Sequence, residues 1–133
     1  MADGLVGCYQ HVESENLQEY LEALDFPLMA RKMIGHSGLE VEICKEDDTW
    51  TISYKLAIKN KESFEVGAEY EMPGMEEPSK CLASAEDGKL EIRDEGARGT
   101  TVRTYEETED GLKITLYVED KDVTAVRHLK KMD

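Results

Sequence analysis

From Leu39 to Lys130 apolar and polar residues alternate with a period of two, in short runs broken by polar turns. This pattern restricts the fold more than any other feature of the chain. Leu39, Val41 and Ile43 alternate with Glu40, Glu42 and Cys44, and Trp50, Ile52, Tyr54, Leu56 and Ile58 alternate with Thr51, Ser53, Lys55, Ala57 and Lys59. Asn60-Lys61-Glu62 reads as a turn, after which Phe64, Val66, Ala68 and Tyr70 form the next apolar row. Lys80 to Ala85 and Lys89 to Arg93 flank the hairpin signal Glu86-Asp87-Gly88, and Thr100 to Glu106, Leu112 to Glu119 and Asp122 to Lys130 complete the series. Alternate residues of a strand share a face, so each run has one side suited to a core. Roughly ten short strands at such close spacing predict a mainly β protein, a barrel or a sandwich, and the consecutive tight hairpins favour an antiparallel up-and-down barrel.

Only the N-terminal part departs from this rhythm. Gly4 to Val12 reads as an opening strand. Leu17, Tyr20, Leu21 and Leu24 then fall at helical spacing, with Ser14 or Asn16 as a candidate cap. Pro27 opens a second helix with Leu28, Met29, Met33 and Ile34 on its apolar side and Gly35 at its end. Two short helices after the first strand predict a helix-turn-helix lid over about residues 15–35, capping the open end of the barrel. Without an internal repeat or a composition break, residues 1–133 read as a single domain.

Charge and cysteine content limit the function classes. The formal net charge is −14, from 30 acidic against 16 basic residues, which repels nucleic acid. No apolar run is long enough to span a bilayer as a helix, and Met1-Ala2-Asp3-Gly4 lacks the features of a secretory signal. Cys8, Cys44 and Cys81 are odd in number and far apart, which suits a reducing compartment, so a cytoplasmic monomer is expected. No cysteine or histidine spacing matches a metal site and no nucleophile–base pair is evident, so neither a cofactor nor catalysis is expected.

One residue stands against its surroundings. Arg127 shares a strand face with Val123, Ala125 and Leu129. A guanidinium in an apolar row requires either an internal partner or an anion from outside. Arg103 lies on a similar row with Thr101 and Tyr105, and Ile114, Leu116 and Val118 form an apolar wall on the intervening strand. Two inward arginines beside apolar walls suit a hydrophobic carboxylate, the arginines orienting its head and the walls burying its tail; pairing with internal glutamates is the alternative. Tyr20 and Trp50 are expected to face the cavity. Met29, Met33, Leu56, Ile58 and Met75 are expected to form the rim of its entrance, where methionine adapts to varied apolar ligands.

The sequence resembles the intracellular lipid-binding proteins, the family of fatty-acid-binding and cellular retinoid-binding proteins. The resemblance rests on Gly7-Cys8-Tyr9, on Glu15 to Leu24, on Ala30-Arg31-Lys32, on Lys59 to Gly67, on Asp87-Gly88-Lys89-Leu90, on Thr100 to Arg103 and on Val123 to Arg127. It implies a ten-stranded antiparallel barrel of the calycin type, in two orthogonal sheets, closed by two helices. It also implies non-covalent binding of one or two amphipathic lipids, most directly a long-chain fatty acid, with retinoic acid or a bile acid as alternatives and no cofactor. A barrel-fold isomerase is the remote alternative. The resemblance further implies transient contact with membranes or acceptor proteins, Arg31 and Lys32 matching a basic pair used that way in some relatives. Arg103 and Arg127 match the two arginines that hold the ligand carboxylate in the fatty-acid and retinoic-acid binders. The tyrosine that completes that clamp is replaced here by Leu129, and Tyr105 or a water molecule is expected to supply the missing hydrogen bond.

Overall fold

The computed structural model describes residues 2–24, 28–29, 32, 39–55, 59–72, 78–96 and 99–132. The alternating runs become ten strands: β1 (Gly7–Glu15), β2 (Glu40–Glu46), β3 (Thr49–Lys55), β4 (Lys59–Glu65), β5 (Glu69–Met72), β6 (Ser79–Glu86), β7 (Lys89–Gly96), β8 (Gly99–Glu107), β9 (Gly111–Val118) and β10 (Val123–Lys131). They form one hydrogen-bonded sheet in the order β4-β3-β2-β1-β10-β9-β8-β7-β6-β5, with antiparallel pairing at every step. Every pair of sheet neighbours is consecutive in the chain except β1 and β10, whose pairing brings the two halves of the meander together. The hydrogen-bonded ladder runs unbroken from β4 to β5 through all ten strands, as an up-and-down barrel requires.

The sheet ends at β4 and β5, which are joined through Val66-Gly67-Ala68 but share no ladder among the described residues. Side chains cover that seam. The rings of Phe64 and Tyr70 stack across it at 5.2 Å, and the Tyr70 hydroxyl donates to Glu62 Oε2 at 2.8 Å. An unpaired strand edge is a liability for aggregation, and inward-facing bonds of this kind hold the edges to each other.

Turn chemistry sets the register. Asp87 (φ 53°) and Gly88 (φ 79°) both take the left-handed conformation that a two-residue hairpin needs, and they hold β6 against β7. At Gly111 the constraint is steric. A Cβ there would lie 2.2 Å from the Leu129 carbonyl oxygen, so β9 and β10 can approach closely only because this residue has no side chain. Gly111→Ala is expected to destabilise the fold by about 1–3 kcal/mol, the usual range for forced overpacking, read from urea denaturation.

The N-terminal part differs from the sequence expectation. Ala2–Leu5 is a 3-10 turn, and strand β1 starts at Gly7 rather than Gly4. The turn buries Leu5, whose carbonyl accepts the Tyr9 hydroxyl at 2.8 Å, a tertiary bond that no local pattern announces. Helix α1 (Leu17–Ala23) buries Leu17, Tyr20 and Leu21. Neither expected cap operates. Asn16 is in the left-handed region and makes no side-chain capping bond; its Nδ2 donates instead to the Thr124 carbonyl at 2.8 Å, tying the lid to β10. Leu28, Met29 and Lys32 are helical, and the rest of the second expected lid helix lies outside the described residues. Among the described residues no helix is long and apolar enough to cross a membrane.

A bulge in β1 prepares the interior. The pairing with β10 slips between His11 and Glu13, so Val12 is the extra residue and turns outward. His11 lies opposite Leu129, and after the bulge Ser14 lies opposite Arg127.

Candidate functional site

Arg127 lies on the inward face of β10 between Ala125 and Leu129, both buried, and is itself only 6% exposed. Its row continues across the sheet through Ile114 of β9 to Tyr105 of β8. Among the described residues no group hydrogen-bonds to its Nε or Nη2, although both atoms are enclosed. Burial pulls its pKa down from the ordinary arginine value, and arginine nonetheless stays charged at neutral pH. Water can satisfy hydrogen bonds in such a place but does not neutralise the charge. A cation left this way costs several kcal/mol of desolvation that no anion on the described chain offsets.

The neighbouring strand adds polar groups. His11 Nε2 and Ser14 Oγ are 2.7 Å apart. The His11 pKa lies below the ordinary histidine value, through burial first and the nearby Arg127 charge second, with Glu13 acting in the opposite sense.

Arg103 has a different environment. Its guanidinium grips the Glu62 carboxylate through two bonds, Nη1 to Oε1 at 2.9 Å and Nη2 to Oε2 at 2.8 Å. Nη1 also donates to the hydroxyls of Tyr54 at 2.7 Å and Tyr105 at 3.0 Å, and those two hydroxyls are hydrogen-bonded to each other. Glu62 is 1% exposed and further accepts from Tyr70 at 2.8 Å and Tyr54 at 3.4 Å. Burial opposes the Arg103 charge, but the Tyr105 and Tyr54 phenols and the Glu62 carboxylate outweigh it and hold its pKa well above the ordinary value. Burial pushes the pKa of Tyr54, Tyr70 and Tyr105 up, so these phenols are neutral donors at neutral pH. Burial pushes the pKa of Tyr20, on α1, up to about 12, with Arg103 and Thr101 acting in the opposite sense.

The residues singled out from sequence thus divide. Arg103 and Tyr105 meet in the Glu62 cluster, the internal-glutamate alternative for Arg103. Among the described residues Arg127 meets no anion, with Leu129, Ile114 and Leu116 buried beside it. Trp50 is buried near a strand end, with the Lys45 ammonium 5.3 Å above its ring, and Tyr20 packs under the lid. Met29 is 72% exposed, and Met33, Leu56, Ile58 and Met75 lie outside the described residues. Sequence reading missed Glu62, which it assigned to a turn, gave no site role to Tyr54, Tyr70 or His11, and took Ser14 only as a candidate helix cap. A signal for Glu62 was available: it stands two residues before Phe64, on the same strand face.

A ten-stranded barrel with a helical lid and a buried cation defines the class of protein. No family-wide sequence model matches the chain. Individual relatives do. Fatty acid-binding protein 12 of Rattus norvegicus is 30% identical over 106 residues, covering 77% of this chain and 80% of the relative. A fatty acid-binding protein of Tyrophagus putrescentiae is 28% identical over 130 residues, covering 96% and 97% of the two chains. In fold, the chain superposes on Schistosoma mansoni fatty acid binding protein in complex with arachidonic acid with a TM-score of 0.91, at 21% identity, covering 99% of this chain and 98% of that one. The chain belongs to the fatty acid-binding protein family.

Proposed function

We propose that the protein binds a hydrophobic carboxylate, most directly a long-chain fatty acid, with its head group on Arg127 and its tail against the apolar interior rows. The observation that carries this reading is the buried Arg127 guanidinium with no anion on the described chain. A carboxylate supplies both the charge and the planar pair of acceptors that this group lacks. The names of its relatives and the fatty acid in the Schistosoma mansoni complex support the same class of ligand. Ile114, Leu116 and Leu129 supply the wall nearest the head group, and tail burial contributes roughly 25 cal/mol per Å² removed from water. Retinoic acid and bile acids carry the same head group and compete for the same place.

The protein acts as a cytoplasmic, monomeric carrier, without cofactor or catalysis. Leu28 and Met29 stand exposed beside Lys32 on the lid, a surface suited to transient contact with a membrane or an acceptor protein. The test is titration of delipidated protein with oleate by calorimetry, with native mass spectrometry of the product. The reading requires a saturable complex of defined stoichiometry; no binding of any long-chain carboxylate would overturn it.

Binding also has a proton signature. The depressed His11 pKa means that its neutral form stabilises the folded state above the ordinary histidine value of about 6.5, and that this contribution is lost as pH falls through the lower folded-state value. A carboxylate on Arg127 cancels the arginine's part of that depression. His11 is therefore expected to titrate at a higher pH in the loaded protein than in the ligand-free one, with proton uptake on binding in the range between the two values. Ring-proton NMR titrations of both forms, assigned with His11→Asn, measure the shift.

A further inference from the structure

Among the described residues the interior holds two arginines, and the one carboxylate bonded to either of them, Glu62, is fully committed; Asp94, on the inward row of β7 with Leu90 and Ile92, lies across the ladder from Cys81 and Thr101 instead. Each Glu62 oxygen accepts one bond from Arg103 and one from a phenol, Tyr54 on Oε1 and Tyr70 on Oε2. Two acceptor sites per oxygen are thereby filled. The Arg103 fork is turned onto Glu62 in the bidentate geometry that a ligand carboxylate would otherwise take. A second acidic group arriving at Arg103 would have to displace a carboxylate fixed to β4 and leave it buried without its cation.

We infer that Glu62 is a built-in counter-anion that reserves Arg103 and limits the interior to a single ligand acidic group, seated on Arg127. Resting on the fatty-acid reading above, this makes Glu62 a specificity residue. It admits lipids with one carboxylate and rejects those whose head carries two. The two arginines are placed for such discrimination. Arg103 pairs in register with Leu116, which pairs with Ala125, so the arginine side chains come from strands separated only by β9 and from adjacent inward rows. A ligand bearing two carboxylates at one end could reach both if Arg103 were free.

Glu62 also braces the seam between β4 and β5 through Tyr70, so the test needs a readout that bracing alone does not move. That readout is the ratio of affinities for palmitate and for hexadecylsuccinate, which carries two carboxylates at its head. Wild-type protein is expected to prefer palmitate by about tenfold or more, since the second carboxylate meets no free cation. Glu62→Gln keeps the shape and an acceptor for Tyr70 but releases the Arg103 charge; it is expected to reduce that preference by roughly tenfold. The double variant Glu62→Leu with Arg103→Met removes both charges. It is expected to keep palmitate affinity within about threefold of wild type and to restore the preference. An unchanged preference in Glu62→Gln overturns the inference, as does a loss of more than about tenfold in palmitate affinity in the double variant, which would place Arg103 on the ligand carboxylate. A wild-type protein that binds neither lipid overturns the fatty-acid reading itself and the inference with it.

Discussion

Arg127→Leu is expected to make the ligand-free protein more stable and, at the same time, a worse binder. The guanidinium of Arg127 is enclosed by Ala125, Leu129 and Ile114 and finds no anion among the described residues. Exchanging an uncompensated buried charge for an aliphatic side chain removes its desolvation penalty, and stabilisation of about 1–4 kcal/mol is expected by analogy with buried ion pairs replaced by apolar residues. The same change deletes the cation that would orient a carboxylate. A charge-assisted hydrogen bond is worth about 1.5–3 kcal/mol, so affinity for a long-chain fatty acid should fall roughly 10- to 100-fold. Urea denaturation of delipidated protein measures the first effect and calorimetric titration the second. Opposite signs for stability and binding are the mark of a residue kept for its ligand. If Arg127→Leu instead lost several kcal/mol of stability, an internal anion would be its partner.

Glu62→Ala has the largest expected cost. Removing this carboxylate leaves Arg103 buried without a counter-charge and deprives Tyr54 and Tyr70 of an acceptor. Breaking one side of a buried ion pair typically costs about 3–5 kcal/mol, because the remaining charge has lost its partner while staying out of water. Replacing both partners, Glu62→Leu with Arg103→Met, removes that stranded charge and should recover most of the loss, so the double-mutant cycle should give a strongly favourable coupling energy. The damage should also be local. Amides of β4 and β5 lose their side-chain bridge across the seam, and their hydrogen exchange should accelerate more than that of β9 and β10. Equal losses in the single and double variants would show that shape, not charge, holds this cluster together.

The contrast between these arginines shows what the sequence reveals and what it hides. The inward position of Arg127 is legible because Ala125 and Leu129 share its face, and period-two alternation in β10 is unbroken. The barrel is legible for the same reason, strand after strand. Glu62 is not, because Asn60-Lys61-Glu62 has the composition of a turn. The turn instead falls at Val66-Gly67-Ala68, where Gly67 takes φ 88°. A charged residue at an inward strand position is tolerated here only because Arg103, 41 residues away in sequence, reaches it. A contact of that separation leaves no local trace. The polar pair beside Arg127 is hidden differently. His11 and Ser14 are three residues apart and would lie on opposite faces of a regular strand; the bulge at Val12 changes the parity and brings both to the interior side.

The most direct test of the account compares a fatty acid with the alcohol of the same chain, in wild-type protein and in Arg127→Gln. The apolar tail is common to both ligands, so the ratio of their affinities isolates the head group. Oleate should bind wild-type protein roughly 10- to 100-fold more tightly than oleyl alcohol, and Arg127→Gln should bring the two within a few-fold of each other by weakening oleate alone. If Arg127→Gln leaves the preference for oleate intact, the carboxylate is held elsewhere and Arg127 is not its site.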